Sequence, residues 1–412
     1  AEAAKLLDRL EPILRKGAPG LDLVELLNQR SLLLYNTGRT AEAMRPTQEG
    51  LRLLEGLPDV PQKKRGEMLL AFARGQYHAD QNQAALDTAK VALAEFESLG
   101  DPGRAGAVLT RALIARAVRD LGRPDEAAAL MEAELPRIRA IFGERSQDYV
   151  VSLGEYAVLQ SDRGELEVAR ASAEQGLKLM DALGKNDRNF ALRHRFAGVI
   201  ALQLRDLASA REHFVQSEKH VQDLRNDLLL WQTQVLSGDP AEIPPRLRAL
   251  LQTPADQAGA VNAVVSVGAR CTLGWRELLA RRAQDAIVQF EAATPRFGEV
   301  KTHSVFLTMW CMTGLGRALL AVGQLDRAEE VLTRSLRLHR ERQVRVTPSR
   351  AETLVTLAEL HLRRGRATEA AADAREADEF WQAFRPQSPQ AQEAAMWHRR
   401  ALSAERRAAA RN

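Results

Sequence analysis

Large apolar side chains and very small ones recur together along this chain with a long period. Phe72, Ile114, Tyr156, Leu273, Leu315 and Leu357 each stand immediately before a small residue, in turn Ala73, Ala115, Ala157, Gly274, Gly316 and Ala358. Ser31 and Gly198 fill the same small position in two further copies. Twelve residues after each comes an alanine, and this second column reads Ala43, Ala85, Ala127, Ala169, Ala210, Ala286, Ala328 and Ala370, at spacings of 42, 42, 42, 41, 76, 42 and 42. Seven residues further on a short residue tends to return (Gly50, Ala92, Gly176, Ser217, Ala293, Ser335, Ala377), with Glu134 as the exception. Two helical turns separate that pair, so both lie on one face. Five residues before each alanine is a turn position, held by Gly38, Asp80, Gly122, Gly164, Arg205, Arg281, Gly323 and Gly365. Every period therefore predicts a helix, a tight turn and a second helix.

Small residues at fixed offsets let two antiparallel helices approach closely, while the large apolar residues fill the remaining space. One hairpin cannot bury such a face alone, so the copies must stack. The 76-residue interval conceals a degenerate copy in which Gly238, Asp239 and Pro240 predict the turn and Ile243 to Leu251 the second helix. There Trp231 replaces the small residue, and Pro244 and Pro245 sit in the first turn of a helix, where proline is tolerated. The fold class is an all-α solenoid of about nine helix-turn-helix units. Residues 1–19 read as the second helix of a truncated preceding repeat, which makes the chain an expected fragment of a larger protein. Residues 20–222 are the N-terminal units, 223–258 the degenerate repeat or joint, 259–385 the C-terminal units, and 386–412 a capping helix with a basic tail.

The best copy, FGERSQDYVVSLGEYAVLQSDRGELEVARASAEQGLKL from Phe142 to Leu179, resembles the tetratricopeptide repeats. The resemblance is to the longer variety of about 42 residues, found in kinesin light chains and many bacterial proteins. It implies a right-handed superhelix whose first helices line a concave groove, with groove-facing positions eleven, eight and seven residues before the alanine. Those columns hold Arg74, Arg116, Trp275 and Arg317, then Tyr35, Tyr77 and Arg119, then His78; a column fifteen before adds Asn28 and Arg195. Arginine beside tyrosine suits an acidic or carboxylate-bearing peptide, because the guanidinium forks onto a carboxylate while the ring supplies rigid apolar area. The competing reading is a set of solvated charges packing their stems along the groove. Repeats of this kind carry asparagines that hold a peptide backbone, and here Asn28 alone matches, with Leu70, Ala112 and Gly154 in later copies. A folded-domain partner or self-association therefore stays open beside a peptide. In the C-terminal units Trp275, Leu278, Leu279, Leu320 and Leu362 make the groove more apolar, with Trp310 extending it. Either an apolar ligand or partner helix fits there, or the tail after Pro389 folds back as a cap.

Composition narrows the function classes. Fifty-eight basic against 54 acidic residues give a net charge of +4, too balanced to argue for nucleic acid. The tail arginines, Arg399, Arg400, Arg406, Arg407 and Arg411, are interleaved with alanine and read as a solvated helix end. Arginine outnumbers lysine 49 to 9, which resembles products of GC-rich bacterial genomes. The longest uncharged apolar stretches, Ala258–Ala269 and Val305–Gly316, fall far short of the roughly 20 residues a bilayer needs, so no membrane insertion is expected of this chain. No phosphate-binding glycine loop, His-Glu-x-x-His, Cys-x-x-Cys or protein-kinase motif set occurs. Gly314 and Gly316 lack the third glycine of a dinucleotide loop, and none of the eight histidines pairs at a spacing of three or four. No catalytic residue, cofactor or metal is expected. Cys271 and Cys311 read as two buried small apolar residues, a bridge requiring an unusually close helix crossing. Two functions remain: a non-catalytic protein-interaction or sensor module of a bacterial multidomain regulator, of the kind joined to serine/threonine kinases or winged-helix regulators, or a ligand- or peptide-sensing array that changes curvature about the joint. The compartment is left open.

Overall fold

The computed structural model describes residues 2–17, 20–36, 39–79, 81–184, 188–239, 241–253, 259–294 and 305–410, the side chains at 35, 36, 40, 41, 188, 189, 259–263 and 305 excepted. Among these residues regular structure is entirely helical. A lone helix, α1 (Glu2–Lys16), precedes nine helix pairs: α2 (Leu21–Asn36) with α3 (Thr40–Glu55), α4 (Gln62–His78) with α5 (Asn82–Ser98), and α6 (Arg104–Asp120) with α7 (Pro124–Phe142). Next come α8 (Gln147–Asp162) with α9 (Leu166–Ala182), α10 (Arg188–Gln203) with α11 (Leu207–Glu218), and α12 (Leu224–Leu236) with α13 (Pro245–Gln252). The last are α14 (Gly259–Leu279) with α15 (Ala283–Ala293), α16 (Val305–Ala321) with α17 (Leu325–Arg342), and α18 (Pro348–Arg363) with α19 (Ala367–Phe384), followed by α20 (Pro389–Ala409).

The periodic columns occupy the close crossings they predict. All eight alanines from Ala43 to Ala370 have no exposed surface. Ser31 joins two columns directly, its hydroxyl donating to the Ala43 carbonyl at 3.0 Å. At Gly274 a Cβ would come within 2.7 Å of the Phe290 ring, so only glycine lets α14 lie this close to α15. The turn column adopts left-handed backbone: φ is +87° at Gly122, +80° at Gly164 and Gly323 and +74° at Gly365, and also +60° at Arg205 and +59° at Arg281. In the degenerate copy Trp231 is fully buried and gives its indole N–H to the Ala241 carbonyl at 3.0 Å, while Pro245 opens the eight-residue α13.

The helices form two compact units, residues 1–159 and 160–412. In the first, a core around Leu86, Phe96, Leu113, Ile114 and Met131 joins the hairpins. In the second, a longer core runs from Leu228 through Trp310 and Leu332 to Trp381. A stacked array brings each repeat against its neighbours alone, yet this second unit turns back on itself. The Val344 N–H donates to the Arg163 carbonyl at 2.9 Å, Arg345 Nε to Glu165 Oε1 at 2.8 Å, and the Arg205 guanidinium forks onto both Glu352 oxygens at 2.8 and 2.6 Å. The tail forms a cap: α20 packs on α18 and α19 and buries Ala391, Ala394 and Ala401.

The cysteine expectation is corrected. Cys271 and Cys311 are both fully buried, but they form a disulfide between α14 and α16 with their Cα atoms 5.4 Å apart. Helices normally pack roughly 8–10 Å axis to axis. Here Cys271 and Cys311 face each other directly at the crossing, and one turn on Gly314 of α16 lies against Trp275 of α14, where a Cβ would come within 2.9 Å of the indole. Among the described residues no helix is long and apolar enough to cross a membrane.

Candidate functional site

In the first unit, α4, α6 and α8 assemble Tyr77, Arg116, Arg119, Asp120 and Glu155 into one network. Tyr77 and Arg119 are one period apart, and Arg119 Nη2 donates to the Tyr77 hydroxyl at 3.1 Å. Its Nε donates to Asp120 Oδ1 at 2.8 Å. The Arg116 guanidinium lies over the Tyr77 ring, 4.4 Å from the centroid, with Nε 3.6 Å from Glu155 Oε2; Arg119 Nη1 is 3.9 Å from the same oxygen. Two cations thus face two carboxylates, and the strip is a neutralised polar wall rather than a bare cationic one. Burial holds the Tyr77 phenol above its ordinary pKa although both arginines oppose the shift. His78, exposed, meets the Tyr77 ring edge-on at 5.5 Å, and Arg74 is half-buried on the same helix. Asn28 is half-buried on α2, and the Tyr35 side chain lies outside the described residues.

A similar contact appears in the second unit, where Gln203 Nε2 donates to Ser161 Oγ at 2.9 Å; the alanines there are 41 residues apart, so Gln203 stands one position beyond the column of Ser161. Arg195 is committed elsewhere. Its Nε donates to Asn226 Oδ1 at 3.0 Å and its Nη2 to Asp223 Oδ2 at 2.8 Å, tying α10 to the residue that caps α12.

Because the second unit closes on itself, first helices, α19 and the start of α20 together line a chamber of about 340 Å³. Trp275 stacks on Trp310 with centroids 5.5 Å apart and planes 16° off parallel, and donates its indole N–H to the Trp310 carbonyl at 3.3 Å. Arg317 donates from Nε to Thr356 Oγ1 at 3.1 Å, and its Nη2 stands 3.4 Å from both Glu393 oxygens. The remaining wall includes the Arg205–Glu352 pair, Trp381, Arg385, and Ser388 and Pro389 at the start of α20. Arg385 Nη1 donates to the Arg205 carbonyl at 3.0 Å, closing the same seam.

Of the residues singled out by the sequence, Tyr77, Arg116 and Arg119 come together in one network, Trp275 and Arg317 share the chamber, and Arg195 joins neither. Arg205, Glu352, Trp381 and Arg385 were not singled out. A trace existed for Arg205 alone, an arginine where glycine is the rule. Trp381 lies on a second helix and Arg385 just beyond it, outside every groove column, yet both line the chamber.

No family model matches this chain, and no curated protein does. It is similar to the solved Rap protein complexed with competence and sporulation factor, at 13% identity over 94% of this chain and 99% of that one, with a TM-score of 0.48. It is similar to yeast Tom70 at 11% identity over 93% and 96% of the two chains, TM-score 0.44, and to BtubC (BKLC) of P. vanneervenii at 14% over 53% and 87%, TM-score 0.41. These likenesses are low, and the repeat fold rests on the chain's own helices and columns.

Proposed function

We propose that this chain is a non-catalytic interaction module of the tetratricopeptide type, which takes a protein or peptide partner along its first helices. The observation that carries the reading is the side-by-side contact of successive first helices, Tyr77 with Arg119 and Ser161 with Gln203. Such contacts fix the spacing of successive first helices, so that the half-buried Arg74 and Arg116 and the exposed His78 beside them stand in a row matched to an extended partner. A place in a bacterial multidomain regulator belongs to the same proposal. The neutralised network favours a partner that docks by shape and hydrogen bonds over one held by net negative charge.

The test is site-specific photo-crosslinking in cells of the source organism. A photoreactive residue at His78, exposed on the first helix of its hairpin, is compared with one at Val91, exposed on the second helix. A discrete adduct from position 78 and none from 91 supports the reading, and the reverse pattern refutes it.

A further inference from the structure

The chamber of the second unit holds unspent recognition chemistry. Trp381 is 1% exposed and lines the chamber, and its indole N–H has no hydrogen-bond partner among the described residues. Trp231 and Trp275, also buried, each give theirs to a backbone carbonyl. A buried donor without an acceptor is costly, so an acceptor supplied from outside would be favoured at this place.

Charge gives that acceptor its sign. Glu352 takes both donors of Arg205, and Glu393 faces Arg317, so four of the charged groups on the wall cancel in pairs. Arg385 remains. It is half-buried, spends Nη1 on a backbone carbonyl, and has no carboxylate partner among the described residues. Arg385 and Trp381 are one helical turn apart, the Arg385 N–H donating to the Trp381 carbonyl at 2.8 Å. The amino end of the 21-residue α20, with Ser388 as its cap, opens onto the same space and adds positive potential. The stacked pair Trp275 and Trp310 lines the same space and gives it a flat apolar wall.

We propose that this chamber binds a carboxylate carrying an apolar body of about the size of an aromatic ring. The carboxylate accepts from Arg385 and from the Trp381 N–H, and the body lies against Trp275 and Trp310. A guanidinium beside a neutral N–H matches the two oxygens of a carboxylate, and a volume of about 340 Å³ sits at the lower end of the roughly 300–1,000 Å³ usual for small-molecule sites. The proposal goes beyond the interaction-module reading, and neither depends on the other. The same chemistry is offered by a free small carboxylate and by the C-terminal residue of a peptide.

The experiment is calorimetric titration of the whole chain with 3-phenylpropionate and its neutral amide, and with a tripeptide ending in phenylalanine, its C-terminus free or amidated. Binding of either carboxylate with loss of the matching amide is the expected result. The free acid binding identifies a small metabolite-like occupant, and the peptide alone binding identifies a chain terminus. Arg385→Gln weakens binding about tenfold or more, Arg385→Lys restores part of it, and Trp381→Phe weakens it severalfold. Thermal melting of each variant accompanies the titration, and a folded Arg385→Gln chain that binds like the wild type overturns the assignment. So does equal binding of acid and amide, or no heat from either acid at millimolar concentration.

Discussion

Arg205 is the residue at which a local cost and a long-range gain can be separated. Its φ of +60° is a left-handed conformation that costs a non-glycine residue about 1 kcal/mol relative to glycine. Its side chain forks onto Glu352, 147 residues away, with the two side chains 9% and 13% exposed. Removing one member of so buried a pair leaves an uncompensated charge and costs roughly 3–5 kcal/mol. Arg205→Ala loses the pair and keeps the backbone cost, so it should destabilise by about that full amount. Arg205→Gly loses the pair and relieves the backbone, so it should be milder by about 1 kcal/mol. Arg281 supplies the control: φ is +59°, the side chain is exposed, and no ion pair involves it among the described residues. There the change to glycine should stabilise by about 0.5–1 kcal/mol. Native-state hydrogen exchange at α10 and α18 reads the local free energies directly. Equal cost for alanine and glycine at 205 would show that the left-handed backbone carries no strain there, and no cost for either would show that the Glu352 pair does not stabilise the fold.

Three other perturbations have defined outcomes. The Cys271–Cys311 bridge closes a loop 40 residues long, so the Cys271→Ala/Cys311→Ala chain should lose about 4 kcal/mol on the chain-entropy account; an unchanged urea midpoint would count against the bridge. Gly274→Ala drives a Cβ to within 2.7 Å of the Phe290 ring and should cost about 1–3 kcal/mol of overpacking, partly recovered by adding Phe290→Leu. Melting temperatures of the two single variants and the double variant check this, and additive losses would deny the contact. Burial lowers the His339 pKa from 6.5 to about 4, opposed by its hydrogen bond with Gln343. The unfolded chain then takes up the proton first, so this stability is whole above pH 6.5 and is lost as pH falls toward about 4, by roughly 3 kcal/mol in total. His339→Gln should flatten that part of the stability–pH curve, and an unaltered slope would show that His339 does not set it.

The repeat was legible because close helix crossings exclude all but small side chains, which leaves a column wherever a crossing recurs; the full burial of Ala43 through Ala370 is that rule in three dimensions. The cap was legible because a terminal hairpin must cover its open face. What the columns could not carry was distance along the chain. Glu352 has nothing in its neighbourhood that points to Arg205, and the bridge between Cys271 and Cys311 depends on how closely two helices cross, which a spacing of 40 leaves open. Charge pairing was equally hidden: Arg116 and Arg119 read as a cationic strip until α8 brings Glu155 against them. Trp381 stood outside every groove position because it lies on a second helix, yet it lines the chamber.

The chamber exists only if the second unit closes, so the closure is the thing to measure. Cys271 and Cys311 are buried and bonded, which leaves cysteines introduced at Glu167 and Val344, both exposed, open to spin labelling. Glu167 stands one helical turn or less from the Arg163 to Glu165 segment that Val344 and Arg345 contact. Electron–electron distance measurement should give a single short, narrow distribution. A long or broad distribution would mean that the hairpins do not close, and the chamber with its carboxylate site would go with them.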